Sequence, residues 1–86
     1  MKEQLIGIVS NYFINISVVA FEIIDGELKI GDSIHLKGYS TDFSIKVESM
    51  QSENNAIDLA KKGDDIGIKV NQKVRRGDKV YLISKD

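Results

Sequence analysis

The chain has 86 residues, no cysteine, no proline and a formal net charge of −1. That length suits one domain spanning residues 1–86, and the lack of cysteine and proline excludes disulfides, thiolate metal sites and cis-proline turns. No apolar run approaches the roughly 18 residues a membrane helix needs, and the start, MKEQLIGIVSNYF, does not read as a signal peptide, so a cytoplasmic protein with no membrane contact is expected.

Charge is distributed unevenly. Residues 1–43 carry three basic and six acidic side chains; residues 44–86 carry nine and seven. Leu5–Tyr12 (LIGIVSNY) suits a buried strand with a close backbone approach at Gly7. Ile16–Ile24 (ISVVAFEII) is rich in β-branched residues and apolar on both faces, which predicts a central strand with Val19, Phe21 and Ile23 on one side. Asp25-Gly26 marks a tight turn, Glu27–Ile30 a short strand, and Gly31-Asp32 a second turn. Ser33–Lys37 follows as a strand with Ile34 and Leu36 inward.

Gly38–Asp42 is a loop by composition. Phe43–Gln51 alternates and predicts one long strand with a bend, with Phe43, Ile45 and Val47 inward and Met50 outward. Ser52–Lys62 departs from this pattern. Ile57 and Ala60 are three apart and Gly63 stands where a helix would stop, which predicts a helical turn or compact loop held down by Ile57 and Leu59. Asp65–Val70 is a strand with Ile66, Ile68 and Val70 inward, Asn71–Asp78 a basic turn, and Lys79–Ser84 the last strand. Gly-Asp occurs three times, as Gly31-Asp32, Gly63-Asp64 and Gly77-Asp78, each just before a strand. Glycine supplies a positive φ there and aspartate accepts from nearby amides, so with Gly26 these residues are read as structural turn positions. Short strands, regular turns and no long amphipathic helix predict an all-β fold: a small closed six- to seven-stranded β-barrel.

Read in order, Gly7-Ile8-Val9, SVVAFEI, GELKIGDSIHLKG, VESMQ, AKKGDDIGIKV and RRGDKVY resemble the second-domain β-barrel of translational GTPases such as elongation factor Tu and bacterial initiation factor two. The likeness covers about residues 5–83. It implies a stand-alone translation-factor-like barrel, a non-catalytic module contacting tRNA, rRNA or a ribosome-associated protein. A similar barrel occurs at the C-terminus of some U32-type peptidases, which gives the alternative of a protein-interaction accessory domain. No G-x-x-x-x-G-K-[ST] stretch is present, so no GTP and no other cofactor is expected. The side chains that flank an aminoacyl end in the tRNA carriers have no match at Gly7–Asn11, so only scaffold residues carry over.

Among candidate functional residues, Lys61, Lys62, Lys73, Arg75 and Arg76 are read as phosphate or partner contacts, with solvated turn charge as the simpler alternative. They flank the fifth strand and are expected at opposite ends of the barrel. Tyr12, Phe13 and Tyr39 sit near loops, where aromatics stack on bases or, more simply, cover a barrel end. His35 is the one histidine, reads as a surface residue, and has no second histidine or cysteine to build a metal or catalytic site with. Asp64 and Asp65 are adjacent on a strand and so point apart, which argues against a cation site. No catalytic constellation is present, and no enzymatic activity is expected.

Overall fold

The computed structural model describes residues 2–84, and every regular element in them is a β-strand. In chain order these are β1 (Lys2–Phe13), β2 (Val18–Ile23), β3 (Glu27–Lys29), β4 (Ser33–Lys37), β5 (Asp42–Lys46), β6 (Met50–Ser52), β7 (Asn55–Ile57), β8 (Leu59–Lys61), β9 (Asp65–Lys69) and β10 (Lys79–Ser84). Eight form one antiparallel sheet in the order β5-β4-β10-β1-β2-β9-β6-β7, and β3 pairs with β8 as a separate ribbon. No helix among the described residues is long and apolar enough to cross a membrane.

The sheet curls around one core. Ile6 and Val9 of β1, Val19, Phe21 and Ile23 of β2, Ile34 and Leu36 of β4, Met50 of β6, Ile66 and Ile68 of β9 and Val80 of β10 all bury in a single cluster. Leu28 of β3 and Ala60 of β8 close it from the ribbon. The period-2 alternation decides which side chains enter, since neighbouring residues on a strand face opposite sides. At Gly7 a side chain would collide with the Phe21 ring and lie 2.8 Å from the Glu22 carbonyl oxygen, so glycine here lets Phe21 pack directly on the β1 backbone.

Small all-β architecture is as the alternation predicts, but the expected closed barrel is not. β5 pairs only with β4 and β7 only with β6, which leaves the sheet open. The reason lies in the run 43–51. It is not one bent strand: β5 ends at Lys46, and Val47 turns away to bond with Gly31 and Asp32 instead of continuing a ladder. A hollow of about 250 Å³, lined by Ile45, Lys46, Glu48, Lys69 and Val70, separates the end of β5 from the end of β9. The detour also turns Met50 inward, contrary to expectation, and leaves it only 2% exposed.

The helical turn or compact loop expected in 52–62 is instead a hairpin, β6–β7, followed by β8. Glu53 and Asn54 both have positive φ, 52° and 66°, which is the backbone of a two-residue hairpin turn twisted to match its strands. Ala60 enters the core, while Leu59 stays 41% exposed. The three-residue spacing of Ile57 and Ala60 suggested a helix because both are anchored inward; they belong to different strands.

Candidate functional site

The three Gly-Asp pairs share one geometry. In each, the aspartate N–H donates to the carbonyl three residues earlier: Asp32 to Lys29, Asp64 to Lys61, Asp78 to Arg75. In return the aspartate Oδ2 accepts from the N–H of that same earlier residue, at 3.0, 2.9 and 2.9 Å. Gly31, Gly63 and Gly77 have φ of 97°, 95° and 92°. One buried apolar residue then clasps each turn, its carbonyl accepting from the glycine N–H and its N–H donating to the aspartate carbonyl. The clasping residues are Val47, Ile23 and Val9. Gly26, at φ 73°, forms the bend between β2 and β3.

These turns place the predicted basic residues. Lys61-Lys62 and Arg75-Arg76 are the first two residues of the second and third turns, and all four are exposed, as is Lys73. The two turns do not lie at opposite ends of the sheet. They lead into β9 and β10, which begin in the same row: Lys79 pairs with Ile8, Ile8 with Glu22, and Glu22 with Asp65. β1 and β2 lie between them, so the turns stand about three strand spacings, roughly 14 Å, apart. The outward residues between are Ile8 and Glu22, not cations. The basic residues therefore do not form one continuous patch.

His35 has partners that alternation alone did not supply. On the outer face of β4, its Nδ1 lies 2.8 Å from Glu3 Oε2 of β1 and its Nε2 2.5 Å from Asp42 Oδ1 of β5. Tyr81 packs beside it, ring centroids 6.2 Å apart. The His35 pKa is raised above its ordinary 6.5: the Asp42 hydrogen bond favours the imidazolium, burial opposes it, and Glu3 adds to the rise. The carboxylates meet opposite edges of the ring, so they cannot converge on one ion. Among the described residues no group of histidine, cysteine and carboxylate side chains is arranged to hold a metal. Glu3–His35–Asp42 is a charge clamp across four adjacent strands.

An open groove lies elsewhere, on the outer face where β1, β2, β9 and β6 run side by side. Its volume is about 520 Å³. Ala20 and Gly67 stand opposite each other in the β2–β9 ladder, and these small residues form the floor. Phe13, Ile16 and Val18 make an apolar end; Phe13 is 45% and Ile16 60% exposed. Ser10, Asn11, Gln51, Glu53, Asn54 and Asp65 supply the polar rim, and no lysine or arginine lines it. Tyr12 packs against the core instead, and Tyr39 stands fully exposed in the β4–β5 loop. Phe13 was the one signal of the groove legible as a loop aromatic; the floor depends on ladder register.

Comparison with known proteins places this fold. The chain is 42% identical over 79 residues to an uncharacterized protease of Methanocaldococcus jannaschii, covering 91% of this chain and 19% of that protein. It is 42% identical over 85 residues to a collagenase of Porphyromonas gingivalis, covering 98% of this chain and 24% of the collagenase. The relatives are proteases. The chain spans only about a fifth to a quarter of their length. The crystal structure of the C-terminal domain of a Geobacillus thermoleovorans protein named as a U32 peptidase superposes with a TM-score of 0.86 at 17% identity, over 94% of this chain and 93% of that one. At that identity the match speaks for the fold alone. No protein-family profile matches the chain.

These findings overturn the reading as a translation-factor barrel and as an RNA-binding module: the similarity is to proteases and to a U32 peptidase C-terminal domain. The cause of the misreading is physical. The stretches that carried the resemblance, GELKIGD and AKKGDD, are clasped turns. They record a backbone geometry that unrelated functions can share.

Proposed function

We propose that this chain is a non-catalytic accessory domain that works with a peptidase and engages polypeptide. The observation that carries this reading is the pattern of similarity. A segment of 79 to 85 residues matches proteases more than four times its length, and it matches, nearly end to end, a structure described as a C-terminal domain in its own right. The chemistry of the described residues supports it. The histidine is held between two carboxylates with no nucleophile among its hydrogen-bond partners, and the groove over Ala20 and Gly67 is open on the outside of a sheet. Such a domain would raise the local concentration of a protein substrate near a separate catalytic centre, or orient that centre on it.

The test has two arms. The purified chain, incubated with gelatin and with fluorogenic peptides, is expected to cleave neither; turnover that follows the chain through purification would make it an enzyme and end the accessory reading. In the second arm, the Porphyromonas gingivalis collagenase is prepared without its matching segment and with this chain grafted in its place. Loss of action on protein but not on short peptides, restored by the graft, is the expected result. Equal activity on protein with and without the segment would refute the proposal.

A further inference from the structure

The row of residues at one end of the groove has an unusual charge arrangement. Glu22 of β2 and Asp65 of β9 are directly opposite each other in the ladder, both on the outer face and both exposed. Like charges in that position repel. Among the described residues neither has an ion-pair partner, and the neighbour of Glu22 on β1 is Ile8, 44% exposed. The nearest cation in the row, Lys79, lies beyond Ile8; Lys69, exposed four residues along β9 from Asp65 and opposite Val18, lines the separate hollow near β5 and not this groove. Asp65 and Glu53 of the hairpin line the groove, and Glu22 stands just beyond that lining, across the ladder from Asp65.

The other end is apolar: Phe13, Ile16 and Val18. Between the ends runs the floor of Ala20 and Gly67. Ser17, Glu53 and Asn54 are the non-glycine residues with positive φ among the described residues, and all three lie in or beside the two turns that flank this groove.

We propose that this groove binds an extended polypeptide segment carrying an apolar side chain and, two residues along, a lysine or arginine, the apolar side chain seating on Phe13, Ile16 and Val18 and the cation between Glu22 and Asp65. The proposal rests on the accessory-domain reading above and names the chemistry of what the domain engages. Charge complementarity selects this occupant: an uncompensated carboxylate pair beside an apolar surface asks for a cation on a partly apolar ligand. The dimensions agree. Val18 and Glu22 are four residues apart on one strand face, about 13 Å. Two ligand side chains on the same face of an extended segment are about 7 Å apart, and the flexible stem of lysine or arginine spans the rest. Polyanions are disfavoured by the same carboxylates.

The test uses the full chain and a fluorescein-labelled, flexible glycine–serine peptide bearing leucine-x-lysine units, against the same peptide with its lysines acetylated, followed by anisotropy. The unmodified peptide should bind, more weakly as salt rises, and the acetylated one should lose most of that affinity. Glu22→Gln and Asp65→Asn should each weaken binding about fivefold. Both remove a repulsion, so their urea midpoints should hold or rise, which separates lost binding from lost folding. Ala20→Val fills the floor with a residue suited to a strand and should block binding. No binding by a folded protein, equal binding of the acetylated peptide, or undiminished binding to Glu22→Gln and Asp65→Asn would overturn the proposal. Its failure differs from failure of the accessory reading. A chain that restores collagenase action without binding the peptide rejects only the groove; one that binds the peptide but leaves the collagenase indifferent rejects only the accessory role.

Discussion

Replacing each Gly-Asp aspartate by alanine should destabilise the protein to very different extents, although the three hydrogen bonds lost are alike. Asp32, Asp64 and Asp78 accept from Lys29, Lys61 and Arg75 N–H at 3.0, 2.9 and 2.9 Å. Distance therefore predicts equal effects. Burial does not: Asp64 is exposed, Asp32 half-buried, and Asp78 only 5% exposed. Its carboxylate also lies against Gly38, so closely that a side chain there would overlap it. With Asp64→Ala, water replaces the carboxylate at the Lys61 N–H and the net cost is about 0.5–1 kcal/mol. With Asp78→Ala, the Arg75 N–H loses its acceptor in a part-buried turn and a gap opens over Gly38, so the cost is about 2–3 kcal/mol. Asp32→Ala should fall between. For a domain of this size, each kcal/mol moves the thermal midpoint by roughly 4–8 °C. Urea unfolding followed by circular dichroism gives the free energies, provided the slope m stays constant across the set. Asparagine retains an acceptor oxygen and should recover part of each loss. Equal costs at the three positions, or a larger cost at Asp64 than at Asp78, would show that turn geometry rather than burial sets the energy, and the reasoning would fail.

Gly31→Ala, Gly63→Ala and Gly77→Ala should each cost about 1–2 kcal/mol and agree closely, because nothing lies within 4 Å of the added methyl and the penalty is backbone conformation alone; urea midpoints check it. Gly38→Ala should displace the Asp78 side chain, so Gly38→Ala and Asp78→Ala in one chain should cost clearly less than the sum of the two, measured as a double-mutant cycle. The His35 clamp gives a pH dependence of definite sign. Its folded pKa is raised, so its stabilisation is present below the unfolded value near 6.5 and is lost as pH rises through the folded pKa. The thermal midpoint should be higher at about pH 6 than at about pH 9, and His35→Gln should flatten that difference; an unchanged slope in the variant would remove the clamp as its cause.

Much of the fold was legible in the residues because strand burial is local. The β-branched run 16–24 placed Val19, Phe21 and Ile23 inward, and 33–37, 65–70 and 79–84 are strands with little error at either end. The hairpin at 50–57 was not legible, since Glu-Asn is weak turn chemistry and its short strands resemble a helical spacing. Of the candidate site, Phe13 and the acidic residues were visible as residue types only.

The alternation of faces and the three Gly-Asp turns can be read from single stretches, because their glycine and aspartate encode a φ and a hydrogen bond within four residues. What those turns hold, and where the sheet ends, depends on contacts between distant strands. Val9, Ile23 and Val47 clasp turns 16 to 68 residues away, and Val47, in doing so, leaves the ladder that would have closed a barrel. The same holds for function. Ala20 faces Gly67, Glu22 faces Asp65 and His35 meets Glu3 and Asp42 through register, and register is a relation between strands that no single stretch contains.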